Sequence, residues 1–242
     1  MHTHEPLIKM EGVSFSYPGG SPVLEDLSFT LSENNRIGIV APNGSGKTTL
    51  LHIIMGLLTP SAGTLELFGR VMKSEKDFRD VRRKVGLLFQ DADDQLFSPT
   101  VLEDVAFGPL NMGKSKEEAI ALSRQTLAKL GLKDFEEKIT FKLSGGEKRL
   151  VAMATILAME PQILLLDEPT AGLDQDTKKH LINILSELNL AYILISHEFD
   201  FVTATTDHMY TMENGKILVD EELHVHVHEH AHRVGAHPHK HV

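Results

Sequence analysis

The chain has 242 residues, 41% of them hydrophobic, enough to bury a core as one large domain or two small ones. A formal net charge of -10 excludes a surface built to neutralise the phosphates of DNA or RNA, and the absence of cysteine excludes disulfides and thiolate metal sites. No run approaches the ~20 apolar residues that span a bilayer, and the N-terminus lacks the basic-then-apolar order of a secretory signal, so a cytosolic protein with no nucleic-acid partner is expected.

Leu7 to Phe15 and Leu24 to Leu31 alternate apolar and polar residues around a Tyr-Pro-Gly-Gly-Ser-Pro turn, which predicts an antiparallel pair and a small β layer. Arg36 to Val40 is a short apolar strand that runs into a Gly-rich loop, and Thr48 to Leu58 is apolar enough for a buried helix. Thr64 to Phe68 and Val85 to Phe89 are further strands. Strand signals then stop. Thr100 with Glu103 and Ser115 with Glu118 fit the Ser/Thr-x-x-Glu capping box, so two helices start there, the second ending at Gly131. Ile163 to Leu166 and Tyr192 to Ile195 return as buried strands around a helix from Gln175 to Leu188, the βαβ pattern of a parallel sheet. The expected organisation is an α/β core over about 1–90 and 161–222, a helical insertion over about 91–160, and a His-rich tail over 223–242.

Three motifs carry the chemistry. Ala41-Pro-Asn-Gly-Ser-Gly-Lys-Thr48 is a P-loop in which successive N–H groups around Gly44, Ser45 and Gly46 form an anion nest at a helix start. The nest, with Asn43 and Thr49, makes the candidate nucleotide site; Lys47 is placed for the β and γ phosphates and Thr48 for Mg²⁺. Ala41 occupies the position of the pattern's first Gly, so the backbone there must keep an ordinary β-region conformation. Asp167 ends an apolar strand and is placed to hold Mg²⁺, and Glu168 follows it as candidate general base. Ser144, Gly145, Gly146 and Glu147 open an apolar helix with a second set of free N–H groups facing an anion. One ATP uses both helix ends only if two chains meet head to tail. His197 and Gln90, each just beyond a strand, are candidates for the γ phosphate and for Mg²⁺ with its water, and Tyr17 is a candidate to stack on adenine.

These residues resemble the ATP-binding cassette superfamily over about 5–222, a P-loop NTPase fold with an N-terminal antiparallel β layer and a helical subdomain. Ala171-Gly-Leu-Asp174 resembles its D-loop, which couples the two sites of a dimer. Gln90-Asp-Ala-Asp-Asp-Gln-Leu-Phe97 with Glu103-Asp-Val-Ala-Phe-Gly108 resembles the extended Gln-loop of energy-coupling factor importers, in particular their cobalt and nickel branch. The resemblance implies an ATPase using ATP and Mg²⁺, acting as a homodimer at the cytoplasmic face of the membrane. Its partners would be a membrane coupling subunit and a membrane substrate-binding subunit. The departures are Ala41 for Gly and Glu147 for Gln. The alternatives are an importer ATPase for another substrate, and a soluble cassette working without a transporter, of which the iron-sulfur assembly type also carries one cassette per chain. A third reading makes the tail a metal store.

Two features lie outside the motifs. Asp91, Asp93 and Asp94 fail as a calcium loop, lacking Gly at position six and Glu at position twelve, and are expected instead to dock a basic helix of the membrane partner. Eight of the fourteen histidines fall in the last nineteen residues, and His224, His226, His228, His230 and His232 alternate with other residues, a pattern that can bind nickel, cobalt or zinc.

Overall fold

The alternation near the N-terminus folds as β1 (Ile8–Ser16) antiparallel to β2 (Pro22–Leu31), with Ile8 opposite Leu31 and Met10 opposite Phe29. In this computed structural model, which describes residues 6–218, the buried side chains of β1 are Ile8, Met10, Val13 and Phe15. The strand expected at Thr64 to Phe68 joins the same layer as β4 (Ala62–Leu67), beside β1, and the short β5 (Arg70–Val71) closes the sheet in the order β2-β1-β4-β5.

A second sheet is built from β3 (Arg36–Val40), β6 (Val85–Leu88), β7 (Ile163–Asp167), β8 (Ala191–Ile195), β9 (His208–Glu213) and β10 (Lys216–Leu218). Its order is β10-β9-β3-β8-β7-β6, parallel throughout except for the β9-β10 hairpin. Strand periodicity divides the interior in two. Ile163, Leu165, Ile193 and Ile195 point towards the antiparallel layer and share a core with Ile8, Leu31 and Leu50. Leu164, Leu166, Tyr192 and Leu194 point the other way, into a core with Val101, Leu127, Val151 and Leu181.

The helices on that second face are α3 (Val101–Asn111), α4 (Lys116–Lys129), α5 (Gly145–Leu157), α6 (Gln175–Glu187) and α7 (Phe199–Thr205). Both expected capping boxes form: Thr100 Oγ1 accepts from Glu103 N and Ser115 Oγ from Glu118 N. α4 stops at Gly131, whose φ is +72°. α1 (Lys47–Ile54) ends four residues short of the expected Leu58, because Gly56 turns the chain at φ +66° against the ring of Phe78. That ring belongs to α2 (Glu75–Val81), a helix the sequence patterns do not identify. Among the described residues no helix is long and apolar enough to cross a membrane.

The layers approach closely at Gly38 in β3, where an added Cβ would lie 2.2 Å from Val202 Cγ1 on α7. Gly38→Ala is therefore expected to lower stability by about 1–3 kcal/mol through overpacking, read from the midpoint of urea unfolding. A midpoint equal to that of the native chain would mean that α7 yields freely.

Candidate functional site

Because β3, β6, β7 and β8 run parallel, their C-terminal ends lie along one edge of the sheet, where α/β folds collect ligands. β3 delivers the P-loop there, β6 delivers Gln90, β7 ends in Asp167 and Glu168, and β8 leads into Ser196 and His197. The P-loop turns into α1 at Gly46, whose φ of +99° is a conformation that L side chains rarely adopt. Ala41 has no such demand: its φ is not positive and its methyl group is buried in the core beneath the antiparallel layer.

Tyr17, Asn43, Gly44, Gly46, Lys47, Thr48, Thr49 and Gln90 line one open cleft of about 460 Å³, together with Val23. Tyr17 is half exposed, its hydroxyl lies 3.2 Å from Thr49 Oγ1, and its ring meets Phe15 edge to face at 5.0 Å. Beneath the cleft, Lys47 Nζ donates to Glu168 Oε1 at 2.8 Å and lies 3.4 Å from both Ala41 O and Asn43 Oδ1. Thr48 Oγ1 donates to Asp167 Oδ2 at 2.9 Å. Asp167 Oδ1 is buried with no hydrogen-bond partner among the described residues, as is Ser45 Oγ. An unpartnered carboxylate oxygen next to a threonine hydroxyl fits a hard divalent cation, and an unpartnered serine hydroxyl in a nest fits a phosphate.

Glu168 is the most constrained residue of the site. Its φ of +46° is unusual for a residue with a side chain and costs on the order of 1–2 kcal/mol. Its N–H donates to Ile195 O at 2.9 Å, and Oε2 accepts from Ser196 Oγ at 3.2 Å and lies 2.9 Å from His197 Nδ1. Burial pushes its carboxyl up, but the hydrogen bonds and charges of Lys47 and His197 outweigh burial and hold it below the usual carboxylate range. The stability contributed by this shift is present above the ordinary value of 4.5 and is lost as pH falls through the lower folded value. Asp167 moves the opposite way: burial raises it, against the Thr48 hydrogen bond and the Lys47 charge.

Ser144, Gly145, Gly146 and Glu147 are absent from the cleft lining. They form the first turn of α5, where Ser144 Oγ accepts from Glu147 N at 3.3 Å and Glu147 Oε2 accepts from Ser144 N at 2.8 Å. The Glu147 carboxylate thus caps its own helix, and nothing lies within 4 Å of a Cβ built on Gly145. One residue tied to the site escapes sequence reasoning. Arg149 on α5 is buried and donates to the carbonyls of Phe89, at 2.6 Å, and Gln90, tying α5 to the segment after β6. A lone arginine in a helix reads as solvated surface, so no sequence signal marks it. The acidic trio is less available than expected: Asp91 Oδ1 accepts from Asp93 N, Asp93 pairs with Lys148, and only the carboxylate of Asp94 pairs with nothing among the described residues. His224, His226, His228, His230 and His232 lie outside the described residues.

The sequence profile of the ABC transporter family matches residues 24–171, more than half of the chain. The chain belongs to the ABC transporter family. It is 42% identical over 219 residues to the cobalt import ATP-binding protein CbiO of Rhodobacter capsulatus, covering 89% of this chain and 78% of that protein. It is 39% identical over 218 residues to the energy-coupling factor transporter ATP-binding protein EcfA of Methanothermobacter thermautotrophicus, covering 88% of this chain and 70% of that one. The fold matches the structure of CbiO1 from Clostridium perfringens, part of the ABC transporter complex CbiONQ, with a TM-score of 0.81, 33% identity and coverage of 89% and 88%. As an ATP-binding subunit of this family the chain is an ATPase.

Since Ala41 sits in the core without strain, Ala41→Gly should change ATP affinity by less than about threefold while lowering stability by about 0.5–1 kcal/mol through the added freedom of the unfolded chain. Titration calorimetry with ATP checks the first and urea unfolding the second. A tenfold gain in affinity would show that the native loop is strained after all.

Proposed function

We propose that this chain is the ATP-hydrolysing subunit of an energy-coupling factor importer for nickel or cobalt. It works as a head-to-tail homodimer on the cytoplasmic face of the membrane, with a membrane coupling subunit and a membrane substrate-binding subunit as partners. The observation that carries the dimer is the separation of the two anion-receptive helix ends. α1 opens into the cleft, whereas the Ser144–Gly146 turn of α5 does not line it, which supports a second copy of the chain as the source of that turn. Likeness to CbiO, EcfA and CbiO1 supports the transport class and the metal. In this reading residues 91–160 act as a helical subdomain against the core of 1–90 and 161–222, followed by the tail.

Within the site, Tyr17 stacks on adenine, and Asn43, Ser45, Lys47, Thr49 and the N–H groups of Gly44 and Gly46 hold the phosphates. Mg²⁺, held by Thr48, Gln90 and Asp167, would offset phosphate charge when bound. The γ phosphate competes with Glu168 for the Lys47 ammonium, which releases Oε1 to accept a proton from the attacking water. Oε2 stays fixed by Ser196 and His197. With Nδ1–H donated to Glu168, His197 would also need a proton on Nε2 to donate to the γ phosphate, and its side chain is largely exposed on that edge.

For the membrane partner, an apolar groove beside the acidic trio is better suited than the trio itself. Phe97 and Phe107 are both exposed, stack edge to face at 4.7 Å, and line a cavity of about 280 Å³ with Leu57 and Met159. A partner helix seated there would touch α3 and the segment held by Gln95, whose Nε2 donates to Ala152 O and Thr155 Oγ1, so its motion would reach α5. The histidines of the tail would capture the transported ion near the pore. An imidazole site prefers copper by the Irving-Williams order, so it does not select the cargo.

Glu168→Gln tests the central assignment. ATP affinity should stay within about threefold, turnover should fall by about 10²- to 10⁴-fold, and ATP should trap a dimer detectable by light scattering. Unimpaired turnover would overturn the base. For the tail, a chain ending at Leu223 should keep full ATPase activity yet lose most Ni²⁺ or Co²⁺ binding in calorimetry at about pH 7.5, and the intact chain should release metal as pH falls through about 6 because imidazole titrates near 6.5. Equal metal binding by the two chains would remove that role.

A further inference from the structure

Glu198 follows His197 and carries no role in the mechanism above, yet its carboxylate is held from two sides. Oε1 accepts from Thr170 Oγ1 at 2.8 Å, and both oxygens accept from Lys178 Nζ, at 2.8 and 2.6 Å. Thr170 is buried and lies two residues after Glu168, while Lys178 stands in the first turns of α6, the helix entered directly from Ala171-Gly-Leu-Asp174. Lys178 and Glu198 are themselves mostly shielded, with side chains 19% and 29% exposed, so the pair is screened less than a surface ion pair. The backbone of Glu198 completes the chain: its N–H donates to Ser196 Oγ at 3.1 Å, and the hydroxyl of Ser196, fully buried, donates onward to Glu168 Oε2. The hydroxyl of Ser196 has one proton to give, and it goes to the Glu168 carboxylate, which can only accept, while a lone pair of the same oxygen accepts from Glu198 N–H.

We propose that Glu198 is a positioning residue that couples the N-terminal turns of α6 to the orientation of Glu168. When nucleotide takes Lys47 from Oε1, the hydrogen bonds left on the Glu168 carboxylate, among the described residues, come from Ser196 and His197. The segment carrying those two residues is pinned by Glu198 to Lys178 and Thr170. A displacement of Ala171–Asp174 by an approaching second copy therefore reaches the carboxylate through an ion pair and two hydrogen bonds, and turnover becomes sensitive to that contact. This inference rests on the reading of Glu168 as the base.

Glu198→Gln and Lys178→Met, measured in the full chain, should each lower kcat by about tenfold with the KM for ATP unchanged within about twofold. The double variant should fall no further than either single one, since both remove the same link. Thr170→Val, nearly isosteric, should lower kcat by a smaller factor with the same unchanged KM. In a Glu168→Gln background none of the three should alter the ATP-trapped dimer or residual turnover. A kcat within twofold of the native chain for Glu198→Gln, additive losses in the double variant, or kcat and KM moving together would overturn the coupling. If Glu168→Gln alone keeps native turnover, the reading of the base fails; if it loses turnover while Glu198→Gln does not, only the coupling fails.

Discussion

The ion pair between Lys47 and Glu168 is the constraint on which the rest of the site depends. Both side chains are nearly excluded from solvent, 7% and 4% exposed, so neither charge is tolerable without the other. The pair joins the loop after β3 to the end of β7, strands separated in the sheet by β8. A carboxylate paired with an ammonium is a poor base, so on the proposed reading of Glu168 this pair would withhold catalysis. A phosphate that drew the lysine away would both fill the nest and free the base.

The sheet makes this arrangement possible. Four parallel strands bring groups from residues 47, 90, 168 and 197 to one edge, and the two cores behind them fix the register. In β7, Ile163 and Leu165 face one core while Leu164 and Leu166 face the other, so a slip of one residue would exchange the side chains fitted to each. The helices are tied to that edge by side chains rather than by the sheet. Arg149 holds the carbonyls of Phe89 and Gln90, and Gln95 reaches back to α5, so the segment nearest the exposed Phe97 and Phe107 is tied to the middle of α5.

Much of this is legible in sequence where one residue type answers to one physical demand. Gly46 at positive φ, the Thr100 and Ser115 caps, and the apolar run before Asp167 each have few substitutes. The helix at Glu75–Val81 escapes because its box pairs Ser74 with Asp77 instead of Glu, and seven residues give too little periodicity to stand alone. α1 reads too long because Leu57 and Leu58 continue its apolar pattern, while the turn at Gly56 depends on the distant ring of Phe78. Arg149, Ser196 and Glu198 are invisible for a similar reason: each acts through a partner at least 20 residues away, and such a pairing leaves no local pattern.

Glu147 shows how a departure from a family's pattern can be absorbed. A carboxylate in the first turn of α5 favours the helix, because it accepts the Ser144 N–H and meets the positive end of the dipole, and its contacts with Ser144 hold its pKa below the usual range. The same charge opposes any anion brought to that helix end. Lys138 would ease that conflict: its ammonium lies 3.1 Å from Glu147 Oε1, so the capping box keeps its carboxylate while part of the negative charge is offset. A glutamine in this position would need no such partner, and the lysine therefore belongs to the same local solution as the glutamate.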